Sequence, residues 1–392
     1  MEDFWKIEEK KLNKKKIVAL IIIIILIIGC ITIAIIYNKN KNIRNWIDIN
    51  ILQKEKVQNN LPSIEFEGND DSNIYAFNKY IGILNKNNFM IYDNTGKKQN
   101  ELTMEISKPI FKSNNRYLAV AEEKGQKIYM IEDKDTIWET NVEGNISQIT
   151  INKNGYIAIT IVDTSYKTVV ALYNNQGEHL FNIYLSSTRV ISTTISNDNK
   201  NVAIAEIDTS GTIPQSNIKI VSIDEGKNNP SESIKTIYNG VNEELITNIK
   251  FQDKNKLVCM FTDKIAVIKN DGTVDIIQDY KGKKISFATI ELSNTSLIVE
   301  EKSSGIFTAD SLVNIINSDN KNISFYTAES VTKEIYTRDN TIALNLGSEI
   351  EFINTNGWLL KRYIAEQEIN KIVLANSIAG IVYRDKIEII NL

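Results

Sequence analysis

The sequence is poor in the residues that chemistry uses most. Among 392 residues there is one histidine, His179, and two cysteines, Cys30 and Cys259. A single histidine excludes a multi-histidine metal centre. Any Ser–His–Asp scheme would rest on His179 beside the Gly177 turn, where an exposed polar residue is the ordinary expectation. No GxSxG, HExxH, Walker A or CxxC pattern is present. The cysteines lie in different settings and cannot staple the body. A body without disulfides suits a cytosolic protein, or an exported one that is stable through size. Cys259, inside an aliphatic stretch, reads as an inert core residue. Asp208-Thr209-Ser210-Gly211 has no second copy and reads as a turn. Asp70 and Asp71 lack the alternating spacing of a calcium loop. No catalytic residue, metal ligand or cofactor is assigned. Carboxylate-pair chemistry stays open, because Asp and Glu are abundant and a sequence gives no distances.

Basic charge is also scarce where nucleic acid would need it. The whole chain is at −4, the tail 1–16 carries +2 and residues 38–60 carry +3, which leaves −9 for everything from Leu61 onward. An acidic body without clustered Lys and Arg excludes nucleic acid as a partner.

One long apolar run stands out. Ile17–Tyr37 is uncharged and follows Lys14, Lys15 and Lys16. As a helix it would span ~31 Å, matching a bilayer core. It is too long for a signal peptide and no A-x-A site follows it. Ile27-Ile28-Gly29-Cys30 is lipobox-like, but Ile31–Ile36 continue the apolar run past the cysteine, which speaks against lipidation. The sequence therefore predicts a short basic tail (1–16), a transmembrane helix (17–37) and a juxtamembrane stalk (38–60) with Trp46 near the interface. Six upstream basic residues against five downstream, and the dense Lys14–Lys16 triplet, place the N-terminus in the cytoplasm and the body outside. A cytoplasm-facing scaffold is the alternative orientation.

The remainder, 61–392, is a repeat. One signature is an aliphatic strand, a polar turn and a second aliphatic strand. It appears at Pro109–Glu122, Thr150–Thr160, Thr194–Glu206, Lys250–Phe261, Glu291–Glu301 and Ile335–Leu346. The other is a strand ending in an Asx-and-Gly turn, at Met90–Gly96, Ala171–Gly177, Ala266–Gly272 and Glu351–Gly357. Interleaved, they give four-stranded meanders recurring every ~40 residues, the period of propeller blades. Units starting near Ile74, Ile106, Ile146, Val190, Ile246, Ile285, Val331 and Ile369 predict an all-β propeller of eight blades. The count becomes seven if the Ile74 or Val190 unit is miscounted. The last unit has only three strands, and the segment Ser63–Gly68 supplies the fourth, closing the ring and removing two sheet edges.

The repeat, with ISNDNKNVAIAE as its best example, resembles WD40-like bacterial propellers, although the Gly-Asp and Trp-Asp landmarks of eukaryotic WD40 repeats are missing. The SxDxGxTW-like turn of sialidases is missing too. The layout of anchor, stalk and degenerate propeller looks like a family of uncharacterised membrane-anchored propellers of low-GC Gram-positive bacteria. That resemblance implies a fold and carries no catalytic residues.

Two loops between second and third strands are long, Asp208–Asn217 and Lys302–Ser311, and Val162–Lys167 is intermediate. All such loops emerge on one face of a propeller, where a rigid scaffold holds them for binding. Tyr166, Ile213 and Phe307 are the candidate contact residues on that face. The expected function is a non-enzymatic, membrane-tethered module that binds a protein or cell-envelope partner. The alternative is a surface hydrolase using paired carboxylates in the channel.

Overall fold

The computed structural model describes residues 14–39, 43, 47, 51, 61–66, 73–240, 244–303, 305 and 308–392. The chain divides into two units, Met1–Val57 and Gln58–Leu392.

In the first unit the apolar run is helical, as α1 (Lys14–Lys39). Its described isoleucines, from Ile22 to Ile36, are exposed. Among the described residues no helix is long and apolar enough to cross a membrane. The transmembrane span expected at 17–37 is helical, within Lys14–Lys39, and is not shown as a membrane span. In the segment expected as a stalk the Ile51 amide donates to the Ile47 carbonyl at 3.0 Å. Trp46, Asp70 and Asp71 lie outside the described residues.

The second unit is an all-β propeller of eight four-stranded antiparallel sheets. Blades 1 to 7 occupy 74–103, 109–141, 145–185, 189–239, 246–279, 285–328 and 334–364, and blade 8 takes 371–391. The expected unit starts fall within three residues of these, and the count is eight. Burial explains the pattern. Second strands such as Tyr117–Glu122 are buried on both faces between neighbouring blades, so they read as continuous aliphatic runs. Fourth strands such as Lys98–Thr103 alternate and stay largely wet, because they form the outer rim.

The ring closes through the strand Ser63–Glu65. It pairs antiparallel with Lys386–Asn391, in register Ser63↔Glu388, Ile64↔Ile387 and Glu65↔Lys386, as the outermost strand of blade 8. Pairing runs one residue beyond it on each side, because the Phe66 amide donates to Asp385 O and Ile389 N donates to Pro62 O. The strand is shorter than the expected 63–68, whose last two residues lie outside the described residues. Ile64 packs in one buried cluster with Ile74 and Ile83 of blade 1 and Val373, Ile387 and Ile389 of blade 8.

The Asx-and-Gly turns join third to fourth strands and also touch the preceding blade. A Cβ on Gly357 (φ +74°) would lie 2.3 Å from the Phe325 carbonyl oxygen, and one on Gly272 (φ +82°) would lie 2.6 Å from that of Ile237. Both the left-handed conformation and this close approach require glycine. At the first-to-second-strand turns, residues Asn78, Asn115, Asn199, Asn255 and Asp339 take positive φ. Hydrogen bonds stitch these turns into a belt. Asn154 Nδ2 donates to Asn197 O, the Asn197 amide to Asn255 Oδ1, the Asp253 amide to Ser293 O and the Ser293 amide to Asp339 O.

Two local expectations are corrected. In blade 4 the third and fourth strands are joined by a short helix, α2 (Ile223–Asn228), which Ser222 caps by accepting from the Glu225 amide. The long loops of blades 4 and 6 are strand at both ends. Asp208 pairs with Gln215 and Ser303 with Ala309, so the paired ribbons extend into both segments, and in blade 4 only 209–214 is loop. Backbone pairing does not need apolar side chains, which is why polar stretches continue the sheet.

Candidate functional site

The first site lies on the loop-rich face. Strands run from this face to the opposite one and back, so second-to-third-strand loops and blade-to-blade connections share it. Tyr166 stands in the blade 3 loop and packs against Tyr184, from the fourth strand of the same blade, with ring centroids 4.6 Å apart and the rings tilted by 38°. Both rings are exposed, 40 % and 50 %. The loop is held in shape, since Thr164 Oγ1 accepts from the Tyr166 amide and donates to its carbonyl, both at 3.1 Å. Lys167 ties it to blade 4, donating to Ser187 O at 3.0 Å and to Thr209 Oγ1 at 3.5 Å. Ile213, 42 % exposed, sits at the tip of the blade 4 ribbon. Beneath the tip, the Ser210 amide and then Lys167 and Lys219 hold the Asp208 carboxyl below the usual range. Phe307 lies outside the described residues. Of the expected residues, Tyr166 and Ile213 thus occupy neighbouring blades of one face, and Tyr184 and Lys167 were missed.

Bulges mark the same end of the ring. The inner strands of blades 3, 4, 5 and 6 slip register at one equivalent point, between Ile146 and Gln148, Val190 and Ser192, Ile246 and Asn248, and Ile285 and Phe287. An extra residue there bends the strand, a device common beside sites.

Carboxylates near this face are structural fasteners. Glu122 and Glu206 hold equivalent places at the end of a second strand. Glu122 accepts from the Ser107 amide at 2.8 Å and the Ser107 hydroxyl at 2.7 Å. Glu206, 2 % exposed, accepts from the Thr188 hydroxyl at 2.6 Å and pairs with Lys219 at 2.8 Å. Within blade 7, Arg362 binds buried Glu351 at 2.7 Å and Glu349 at 3.0 Å. Burial and the neighbouring Glu351 push the Tyr326 hydroxyl up.

A second constellation lies on the channel axis. Glu291, just past the inner strand of blade 6, accepts from Asn248 Nδ2 at 2.9 Å, and its Oε2 lies 3.5 Å from Lys250 Nζ. Asn248 Oδ1 in turn accepts from the Ser192 hydroxyl at 2.8 Å. The Glu291 side chain keeps 44 % of its surface open. Desolvation pushes its pKa up, but Lys250, Lys112 and Asn248 outweigh that and bring it to about 2. Arg338, at the end of the blade 7 inner strand, reaches blade 2, where Nη1 donates to Ser113 O at 2.9 Å and Ser113 Oγ at 3.1 Å. The eight inner strands hold one carboxylate, Glu334, which accepts from the Tyr336 hydroxyl at 2.7 Å. Among the described residues no group of acidic, His or Cys side chains is arranged to hold a metal.

Solved structures share the fold. The C-terminal WD40 domain of Sif2 matches at 12 % identity and TM-score 0.56, over 84 % of this chain and 99 % of its own. Dihydro-heme d1 dehydrogenase NirN, in complex with DHE, matches at 10 % identity and TM-score 0.53, over 84 % and 73 %. BamB from Moraxella catarrhalis matches at 10 % identity and TM-score 0.48, over 85 % and 99 %. At such identities the likeness concerns the fold alone. No curated protein matches the sequence. The family that matches, over residues 52–392, is described as a family of unknown function (DUF5711).

Proposed function

Because the chain belongs to the DUF5711 family, its role is read from its own surfaces, and we propose that it is a non-enzymatic binding or scaffold module. In this reading residues 17–37 tether it to the cell membrane, with the basic tail in the cytoplasm and the propeller on the extracytoplasmic side of a low-GC Gram-positive envelope. The uncharged run and the exposed isoleucines of α1 support the tether. The partner is a protein or a cell-envelope component that docks on the loop-rich face of blades 3 and 4.

The observation that carries the reading is the Tyr166–Tyr184 pair. Two exposed rings, held by their mutual contact and by the Lys167 bond to Thr209, form an apolar platform at little entropic cost to a partner. The arrangement supports binding over the carboxylate-dependent hydrolase, since Glu122, Glu206 and Glu351 are engaged by Ser107, Lys219 and Arg362. Glycoside hydrolysis needs two free carboxyls about 5–9 Å apart.

The test is a photo-crosslinking amino acid placed at Tyr166, and separately at Asn356 on the opposite face, in living cells. A discrete adduct from position 166, lost when Tyr184 is changed to Ala, is the expected result. Equal adducts from both faces, or none from position 166, would overturn the reading.

A further inference from the structure

We propose that the channel at the level of Arg338 and Lys112 is a binding site for a compact oxyanion, a phosphate or carboxylate group. This inference does not depend on the loop-rich face. Arg338 spends Nη1 on Ser113 and Nε on Asn376 Oδ1 at 3.3 Å, while Nη2 is buried with no hydrogen-bond partner. A guanidinium carries five donors in a fixed fork, and an unmet buried one is costly unless a ligand meets it. Lys112 adjoins Ser113 on the same inner strand. It is exposed, and among the described residues it has no hydrogen-bond or ion-pair partner.

Both groups lie towards the axis. Arg338 spans from blade 7 to blade 2. Lys112 of blade 2 acts electrostatically on Glu291 of blade 6, which stands diametrically opposite in a ring of eight. Lys250 is already committed to Glu291. Asp339, 3.8 Å from Arg338 Nε, is half exposed. Three cations against Glu291 and Asp339 leave a net positive charge in the enclosed space, inside a body at −9. Low-dielectric walls concentrate that field on a small anion, and the acidic exterior repels a polyanion. A planar fork beside a mobile ammonium suits an oxyanion, which accepts two bonds from one and a point charge from the other.

The experiment is isothermal titration of the purified full-length chain with inorganic phosphate, and separately with acetate, at ionic strength matched with chloride. Saturable uptake of one or both anions at one site per chain is expected. Uptake of phosphate alone identifies a phosphate-bearing ligand, and uptake of acetate alone identifies a carboxylate. Lys112→Met should weaken the affinity roughly ten-fold or more, the loss of one charge-assisted bond. Lys321→Met, at the outer rim, should leave it unchanged. Because Arg338 also bridges two blades, Arg338→Lys is its variant, keeping the charge and losing the fork. It should weaken binding without lowering the melting temperature below that of Lys112→Met. The absence of saturable uptake of either anion, or equal affinity in the native chain and Lys112→Met, overturns the site.

Discussion

Gly96 lies against Ser63. A Cβ on Gly96 would fall 2.7 Å from the Ser63 carbonyl oxygen, and Gly96 itself sits at φ +80°. The blade 1 turn thus leans on the strand that closes the ring. Gly96→Ala should cost about 1–3 kcal/mol from the left-handed backbone, and more from displacing the closing strand. Gly282, at φ +73° with nothing within 4 Å of its missing Cβ, isolates the first cost. Thermal melts should therefore rank Gly96→Ala below Gly282→Ala. Equal melting temperatures would mean that Ser63 yields freely.

The closing strand should matter out of proportion to its length. Ile64 is 3 % exposed in the blade 8–blade 1 cluster. Ile64→Ala should cost about 2–5 kcal/mol, as a large-to-small change in a packed core does. Residues 58–392 should fold without the first unit, with a β-rich far-UV circular dichroism spectrum and one cooperative melt. Removing 58–68 from that fragment should lower its melting temperature sharply, and an unchanged value would show that the clasp adds nothing.

Acid should act through Glu291. Its carboxyl titrates near 2 in the folded chain, against an ordinary value of 4.5. A depressed folded value stabilises the fold fully above about pH 4.5, and the contribution fades as pH falls towards 2. The difference in melting temperature between the native chain and Glu291→Gln should be constant above pH 5 and shrink below it. A difference that persists unchanged to pH 2.5 would contradict the axial arrangement.

Orientation of the proposed tether is testable by labelling. A cysteine replacing exposed Asn356 should react with an impermeant thiol reagent added to intact cells. Each basic group near an anionic leaflet contributes about 1 kcal/mol, so replacing Lys14, Lys15 and Lys16 with Gln should mix the two orientations. Labelling that requires opened membranes would place the propeller in the cytoplasm and remove the envelope partner.

The blades were legible because their signals are local. Aliphatic second strands and turns such as Asn152–Gly155 or Asn354–Gly357 declare themselves within a dozen residues. The closing strand was legible as the one piece missing from an incomplete repeat. Helix α2 left a faint signal in Ser222 and Glu225, the first and last residues of a capping pair. The outer end of the blade 4 ribbon, Asp208 with Gln215–Asn217, was hidden by Ser, Thr and Gly that read as loop. Arg338 and Ser113 stand 225 positions apart, and no local pattern links them. Tyr184 was invisible for a different reason: an exposed tyrosine on an outer strand looks like any other until its neighbour is placed.

The pairing of Ser63–Glu65 with Lys386–Asn391 also sets a timetable. During synthesis the earliest strand of the propeller waits, unpaired, while more than three hundred residues are added behind it. At ~5–20 residues per second that wait lasts tens of seconds. Seven blades can form in turn during it, but the clasp engages only when the final strand emerges. A product cut short before residue 386 keeps an open seam with unpaired edges at both lips. Completion of the ring therefore reports that the whole propeller has been made, and proteases that take hold of loose strand edges would remove the unfinished copies.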